Sequence, residues 1–147
     1  MSVIRFTVPA VPVAQPRQRH TRSGRNYTPS DHPVQAFKAT VRLAAMAQHS
    51  GSPLQGPIRM RCVFVLPRPS RLVWKKMPMP RLAHTSTPDV ENIAKAVMDA
   101  LSGTTFVDDS QVYSLDVAKV IAGGDEQPHV TVEIEETASG RENVNAH

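Results

Sequence analysis

The twelve residues from Glu91 to Ser102 constrain the fold more than any other segment of the chain. Ile93, Ala94, Ala96, Val97, Met98, Ala100 and Leu101 are all apolar. On a helix turning about 100° per residue they cover most of the circumference. Glu91, Asn92, Lys95 and Asp99 are left as one narrow polar stripe, and Gly103 supplies the stop. Such a helix has to be buried on several sides, so the remaining elements must form a layer against it.

That layer is legible in outline. Val3 to Val8 alternates, with Ile4, Phe6 and Val8 on one side and Arg5 and Thr7 on the other, as a short strand does. Asp31 is a plausible cap for a helix from Pro33 to about Gln48, where Val34, Phe37, Val41, Ala44 and Ala45 recur at helical spacing. Ile58 to Leu66 alternates again, with Arg59 and Arg61 opposite the apolar side. Two more strands, Val112 to Val120 and His129 to Glu135, flank a Gly123-Gly124-Asp125 turn. The expected fold is α/β: a small mixed sheet with two helices packed on one face and a terminal antiparallel hairpin. Residues 1–136 are expected to form one domain, and 137–147 a disordered polar tail.

Charge is distributed unevenly. The first 88 residues carry fourteen Lys or Arg and a single acid, Asp31, whereas the last 59 carry three and twelve. The basic residues concentrate in two proline-rich loops, one with Arg17, Arg19, Arg22 and Arg25, the other with Arg71, Lys75 and Lys76 around Trp74. Guanidinium forks suit phosphate oxygens, and an aromatic ring can stack on an unpaired base, so both loops are candidate DNA contacts. The bland alternative is a solvated surface run, with Trp74 in the core or at an interface. One cysteine, Cys62, excludes an internal disulfide and a cysteine-based zinc site. No apolar run is long enough to span a membrane, and no signal peptide is visible, so a cytosolic protein is expected.

The acids gather around the apolar helix. Asp89 and Glu91 precede or open it, and Asp108-Asp109 follows within one turn segment. Residues two apart diverge on a helix and converge only in extended chain, so Asp89 must lie outside the helix for the pair to meet. Pro88 favours that arrangement. Asp108 and Asp109 point apart if extended, so only one is expected to join. Two carboxylates ~4 Å apart repel by roughly 4 kcal/mol at an effective dielectric near 20, and need protons, Lys95 or a cation to offset them. An all-oxygen donor set favours Mg²⁺, with Mn²⁺ as a substitute. Taken singly, Asp89 could be only a cap, Asp108-Asp109 a turn, Glu91 and Lys95 a surface ion pair, and Asp99 an anchor or a partner of Lys95.

The run Pro88-Asp89-Val90-Glu91-Asn92-Ile93-Ala94-Lys95, then Asp99-Ala100-Leu101 and Asp108-Asp109-Ser110-Gln111-Val112, closely resembles the signature of the RusA family of Holliday-junction resolvases. The Pro16-Arg17-Gln18-Arg19 to Tyr27-Thr28-Pro29 loop is similar to that of phage-type members. The resemblance implies a homodimeric, Mg²⁺-dependent endonuclease that nicks four-way DNA junctions symmetrically, in a phage or prophage setting. Carried over by position, Asp89, Glu91 and Asp109 would bind metal and Lys95 would be the essential lysine. Glu91 departs from the family, which usually has Asp there; the added methylene shifts the carboxylate by roughly 1.5 Å, one single bond. Thr87 stands where a basic residue commonly precedes Pro-Asp. Two rival readings are a non-catalytic branched-DNA-binding module with a degenerate site and a Mg²⁺ phosphoesterase for a small anion.

Overall fold

The computed structural model describes residues 2–16, 19–20, 26–27, 30–74 and 78–138, with backbone alone for 2, 19–20 and 26–27. Its elements are β1 (Ser2–Val8), β2 (Arg19–His20), β3 (Asn26–Tyr27), α1 (Pro33–Gln48), β4 (Ile58–Leu66), β5 (Leu82–Ala83), α2 (Val90–Leu101), β6 (Val112–Ile121) and β7 (His129–Glu136). Five strands form a mixed sheet in the order β1-β7-β4-β6-β5, and β2 pairs with β3 separately. The long elements fall where periodicity expects them. The pairing of Arg19 with Tyr27 and of His20 with Asn26 puts a small antiparallel ladder in a segment expected to be plain loop.

The terminal hairpin is not formed. β6 and β7 run in opposite directions, but β4 lies between them, pairing parallel to β6 and antiparallel to β7. β7 thereby fills the slot between β4 and β1 and is hydrogen-bonded on both sides. A parallel pair cannot be joined by a tight turn and needs a crossover, which is the role of α2 between β4 and β6. This places the start of α2 at the carboxyl end of β4 and β6 and its end at their amino end.

Both helices lie on one sheet face, over Ile58, Met60, Cys62, Phe64 and Leu66 of β4. Ile93, Ala96, Val97, Ala100 and Leu101 of α2 are fully enclosed, as their apolar run requires. Lys38 of α1 is only 4% exposed and is ion-paired with Asp99 of α2. Arg42 Nε donates to the Ala100 carbonyl at 3.1 Å, so the helices are also tied by polar contacts. Burial pushes the Cys62 thiol up to about 12, which makes it an inert packing residue. His32, rather than Asp31, caps α1: its Nδ1 accepts from the Val34 N–H at 3.0 Å. The imidazole lies directly before the helix, one position nearer than the carboxylate. Thr137 is buried with its N–H on the Pro57 carbonyl at 2.9 Å, so this residue of the expected tail packs against the domain. Residues 139–147 lie outside those described.

The opposite sheet face carries alternating charge in register. Arg5 faces Glu133, which faces Arg61, which faces Asp116. Arg5 Nε is 2.9 Å from Glu133, and Arg61 Nε is 3.4 Å from Asp116. Its arginines are balanced rather than presented as a basic field, so this face lacks the charge excess that a DNA backbone needs.

Candidate active site

Asp89 is the N-cap residue of α2, in extended conformation (φ −69°, ψ 138°), and its side chain makes no capping hydrogen bond. Extended geometry at Asp89 followed directly by helix turns Asp89 and Glu91 into the same open cleft, together with His84, Ser86, Thr87 and Lys119. The cap reading of Asp89 therefore fails at the level of its carboxylate, which accepts no hydrogen bond from the first turn of the helix. Both acids are exposed and sit at the positive end of the helix dipole, which favours negative charge there. Lys119 donates to the Pro88 carbonyl at 2.6 Å and to the Ser86 carbonyl, and so clamps the segment leading into Asp89. The His84 N–H donates to the Lys119 carbonyl at 3.1 Å. Burial pushes the His84 imidazole below its ordinary range, and the charge of Lys119 adds to that.

The second acidic segment is built differently. Asp108 caps a short 3-10 turn (Asp109–Gln111): its Oδ2 accepts from Ser110 N at 2.9 Å, and Gln111 Oε1 accepts from Asp108 N at 2.8 Å. Gln111 Nε2 also donates to the carbonyls of Leu54 and Gly56, each at 2.9 Å, pinning the turn to the segment that enters β4. The hydrogen bonds from Ser110 hold the Asp108 carboxyl below the usual carboxylate range. Asp108 is thus committed to the turn, whereas Asp109, equally exposed, makes no such bond among the described residues.

These two segments lie at opposite ends of α2. Pro88 is clamped by Lys119 near the end of β6, whereas Asp109 leads into Val112 at its start. Twelve helical residues span ~18 Å. Seven strand steps from Val112 to Lys119 span ~23 Å by the same kind of reckoning. Asp109 is therefore not brought to Asp89 and Glu91 within one chain, and among the described residues no group of three His, Cys, Asp or Glu side chains could hold a metal. The expectation that one helix and its flanking turns gather all three acids is not met by a single protomer. The crossover geometry is the reason: it carries the chain from one end of the sheet to the other between the two acidic segments.

Other expected residues fall as follows. Lys95 is exposed one turn beyond Glu91, and among the described residues the two form no ion pair. Asp99 pairs with Lys38 rather than Lys95, so it anchors the helices. Arg71 is exposed in a 3-10 turn (Ser70–Leu72). Arg17, Arg22, Arg25, Lys75 and Lys76 lie outside the described residues, as does the side chain of Arg19. Trp74 is half-buried beneath Arg68, whose guanidinium carbon lies 4.9 Å from the ring centroid, so its face is occupied by a cation. Arg81 is paired with Glu126. The Gln15 N–H donates to the Asn92 carbonyl at 2.8 Å, which holds Gln15 beside the first turn of α2. Lys119 is a residue that sequence reading misses. The signal for it is parity: it follows Leu115 and Val117 on the helix side of β6, where a charge is out of place.

The sequence profile described as endodeoxyribonuclease RusA matches residues 9–135, most of the chain. The chain belongs to the RusA endodeoxyribonuclease family. It is also 34% identical over 145 residues to the uncharacterised protein YqaN of Bacillus subtilis (strain 168), covering 95% of this chain and all of the relative. Family membership makes this chain a DNA endonuclease of the Holliday-junction-resolving kind, and RusA enzymes generally depend on a divalent metal. The donor chemistry suits such an ion, since every candidate ligand is a carboxylate oxygen. The set is nevertheless incomplete in one chain, which offers Asp89 and Glu91 at one end of α2 and Asp109 at the other. No helix is long and apolar enough to cross a membrane.

Proposed function

We propose that the protein is a homodimeric, Mg²⁺-dependent Holliday-junction resolvase that hydrolyses one phosphodiester in each of two opposed strands. It would act in the cytoplasm on recombining bacterial, phage or prophage DNA. The observation that carries this reading is the pair of uncapped carboxylates, Asp89 and Glu91, facing one cleft at the N-terminus of α2 inside the family signature. Gln15, just ahead of the basic residues in sequence, supports it by bonding to the same helical turn.

Asp89 and Glu91 of one chain, with Asp109 of the partner subunit, are the proposed ligands. A two-fold dimer supplies two such sets to a nearly two-fold substrate. Oxygen ligands alone favour Mg²⁺, with Mn²⁺ as the tolerated substitute. When bound, the ion would polarise the phosphoryl group and lower the pKa of a bound water. Lys95, one turn beyond Glu91, would offset charge that grows on the phosphate oxygens. Lys119 holds the 86–88 backbone, and with it Asp89, in place. Glu91 reaches further than an Asp would, which the open cleft accommodates.

Arg17, Arg19, Arg22, Arg25, Arg71, Lys75 and Lys76 are the proposed contacts to the phosphate backbone. Asp89→Asn tests the reading. Binding to a four-way junction should survive, and Mg²⁺-dependent nicking should be lost. Equal loss of binding and nicking with the fold intact would contradict a catalytic role for Asp89.

A further inference from the structure

We infer that Glu136 is a positioning residue for Asp109: through one peptide group and Gln111 it sets where that carboxylate stands. The inference rests on the reading above in which Asp109 is a metal ligand, and it names what aims that ligand. Among the described residues the Asp109 side chain makes no bond to its own turn, so the backbone of the turn decides its direction. Three bonds fasten that turn to the segment 54–56. Gln111 Nε2 donates to the carbonyls of Leu54 and Gly56, each at 2.9 Å, and the Val107 N–H donates to the Leu54 carbonyl at 3.2 Å. The same segment is gripped from behind by an acid more than two dozen residues further along the chain. Glu136 Oε2 accepts from the Gln55 N–H at 3.1 Å and from the Gly56 N–H at 2.9 Å.

The Leu54 carbonyl and the Gln55 N–H belong to a single planar trans peptide and point to opposite sides of it. One rigid group is therefore held at its N–H by Glu136 and at its oxygen by Gln111 and Val107. The charge on the Glu136 acceptor strengthens the first bond, and bonds in a chain polarise one another, so the carbonyl at the far end becomes a better acceptor. Without Glu136 the peptide is free to turn, and the amide of Gln111 follows it. Asp109 lies two residues before Gln111 in the same capped turn, so its carboxylate moves with that amide. Glycine at 56 is what lets the acid come this close, because a methyl there would sit 3.1 Å from Glu136 Cγ and Oε2. Glu136 closes β7, and the Thr137 N–H on the Pro57 carbonyl fixes the chain just beyond it. Glu136 acts through the backbone rather than as a ligand. Its Oε2 is occupied by two N–H groups, and among the described residues no three His, Cys, Asp or Glu side chains could hold a metal.

The test follows Mg²⁺ itself as well as cutting, on the full chain. Groups that orient a metal ligand tune affinity by about 10–100-fold, so Glu136→Ala should weaken Mg²⁺ binding in a calorimetric titration by ~10-fold. The Mg²⁺ needed for half-maximal nicking should rise in step, with nicking recovered at saturating Mg²⁺. Hydrogen exchange at the Ser110 and Gln111 amides should quicken. Glu136→Gln keeps an oxygen that accepts from both N–H groups and should behave as wild type in all three measurements. Asp99→Ala loses a polar contact elsewhere, and should lower stability without moving the Mg²⁺ requirement. Gln111→Glu releases the same peptide from its other side and serves if Glu136→Ala does not fold; it should give the same shift. Because both residues act through one peptide, the double variant should shift no further than the larger single one. A folded Glu136→Ala protein with wild-type Mg²⁺ binding and exchange overturns the inference, as do additive shifts in the double variant. Asp109→Asn separates that failure from failure of the site. If it abolishes nicking while Glu136→Ala changes nothing, the inference alone falls; if it binds Mg²⁺ and nicks as wild type, the ligand reading falls and the inference with it.

Discussion

The two ends of α2 carry acids of the same kind in opposite structural states. At the start, Asp89 and Glu91 are exposed, uncapped and turned into one cleft, with the surrounding backbone held by Lys119 rather than by the acids. At the far end, Asp108 accepts from Ser110, Gln111 ties the turn to Leu54 and Gly56, and Asp109 is the exposed acid with no bond to the turn among the described residues. One end is a pair of ligands placed by its neighbours, and the other is a locked turn that presents a single carboxylate. Under the proposed shared site, one continuous motif encodes two half-sites. The difference also divides the acids by role. Among the described residues Asp89, Glu91 and Asp109 hold no protein partner fixed, whereas Asp99 and Asp108 do.

That division makes predictions which could break it. The largest concerns Asp108 and Asp109, neighbours with opposite assignments. Asp109→Asn should abolish junction nicking with no loss of thermal stability. Asp108→Ala should lower the melting temperature and leave detectable nicking. Because the Asp108 carboxyl sits below its ordinary pKa, its stabilising effect is present above the unfolded value and fades as pH falls through the folded one. The melting-temperature gap between wild type and Asp108→Ala should therefore narrow in acid. A smaller effect is expected at Asp99, whose removal leaves the buried Lys38 amine without its carboxylate. Asp99→Ala should cost about 1–3 kcal/mol in denaturant unfolding while sparing nicking well below the melting temperature. Loss of nicking by a fully folded Asp99→Ala protein would place Asp99 among the ligands instead.

Much of the fold is readable from the chain because it rests on local pattern. The alternation of Ile58 to Leu66 and the apolar run of α2 each fix an element and the side it buries. The expected β6–β7 hairpin fails because alternation identifies strands without saying which neighbour they choose, and β7 pairs with β1 and β4 instead. The expected single acid cluster fails for a related reason. Proximity in sequence says nothing of the ~18 Å that a twelve-residue helix puts between its ends. Asp99 cannot be assigned from sequence because its partner, Lys38, lies 61 positions earlier. The roles of Gln111 and Lys119 likewise depend on carbonyls contributed by distant segments.

The central claim is that Asp89 and Glu91 of one chain work with Asp109 of the partner subunit, and mixing two inactive proteins tests it most directly. Asp89→Asn and Asp109→Asn homodimers should each fail to nick a four-way junction. After subunit exchange, the heterodimer contains one site with all three carboxylates and one with two replaced. Mg²⁺-dependent nicking should return, confined to one strand per dimer. A mixture that exchanges subunits, binds the junction and still cuts nothing would contradict it.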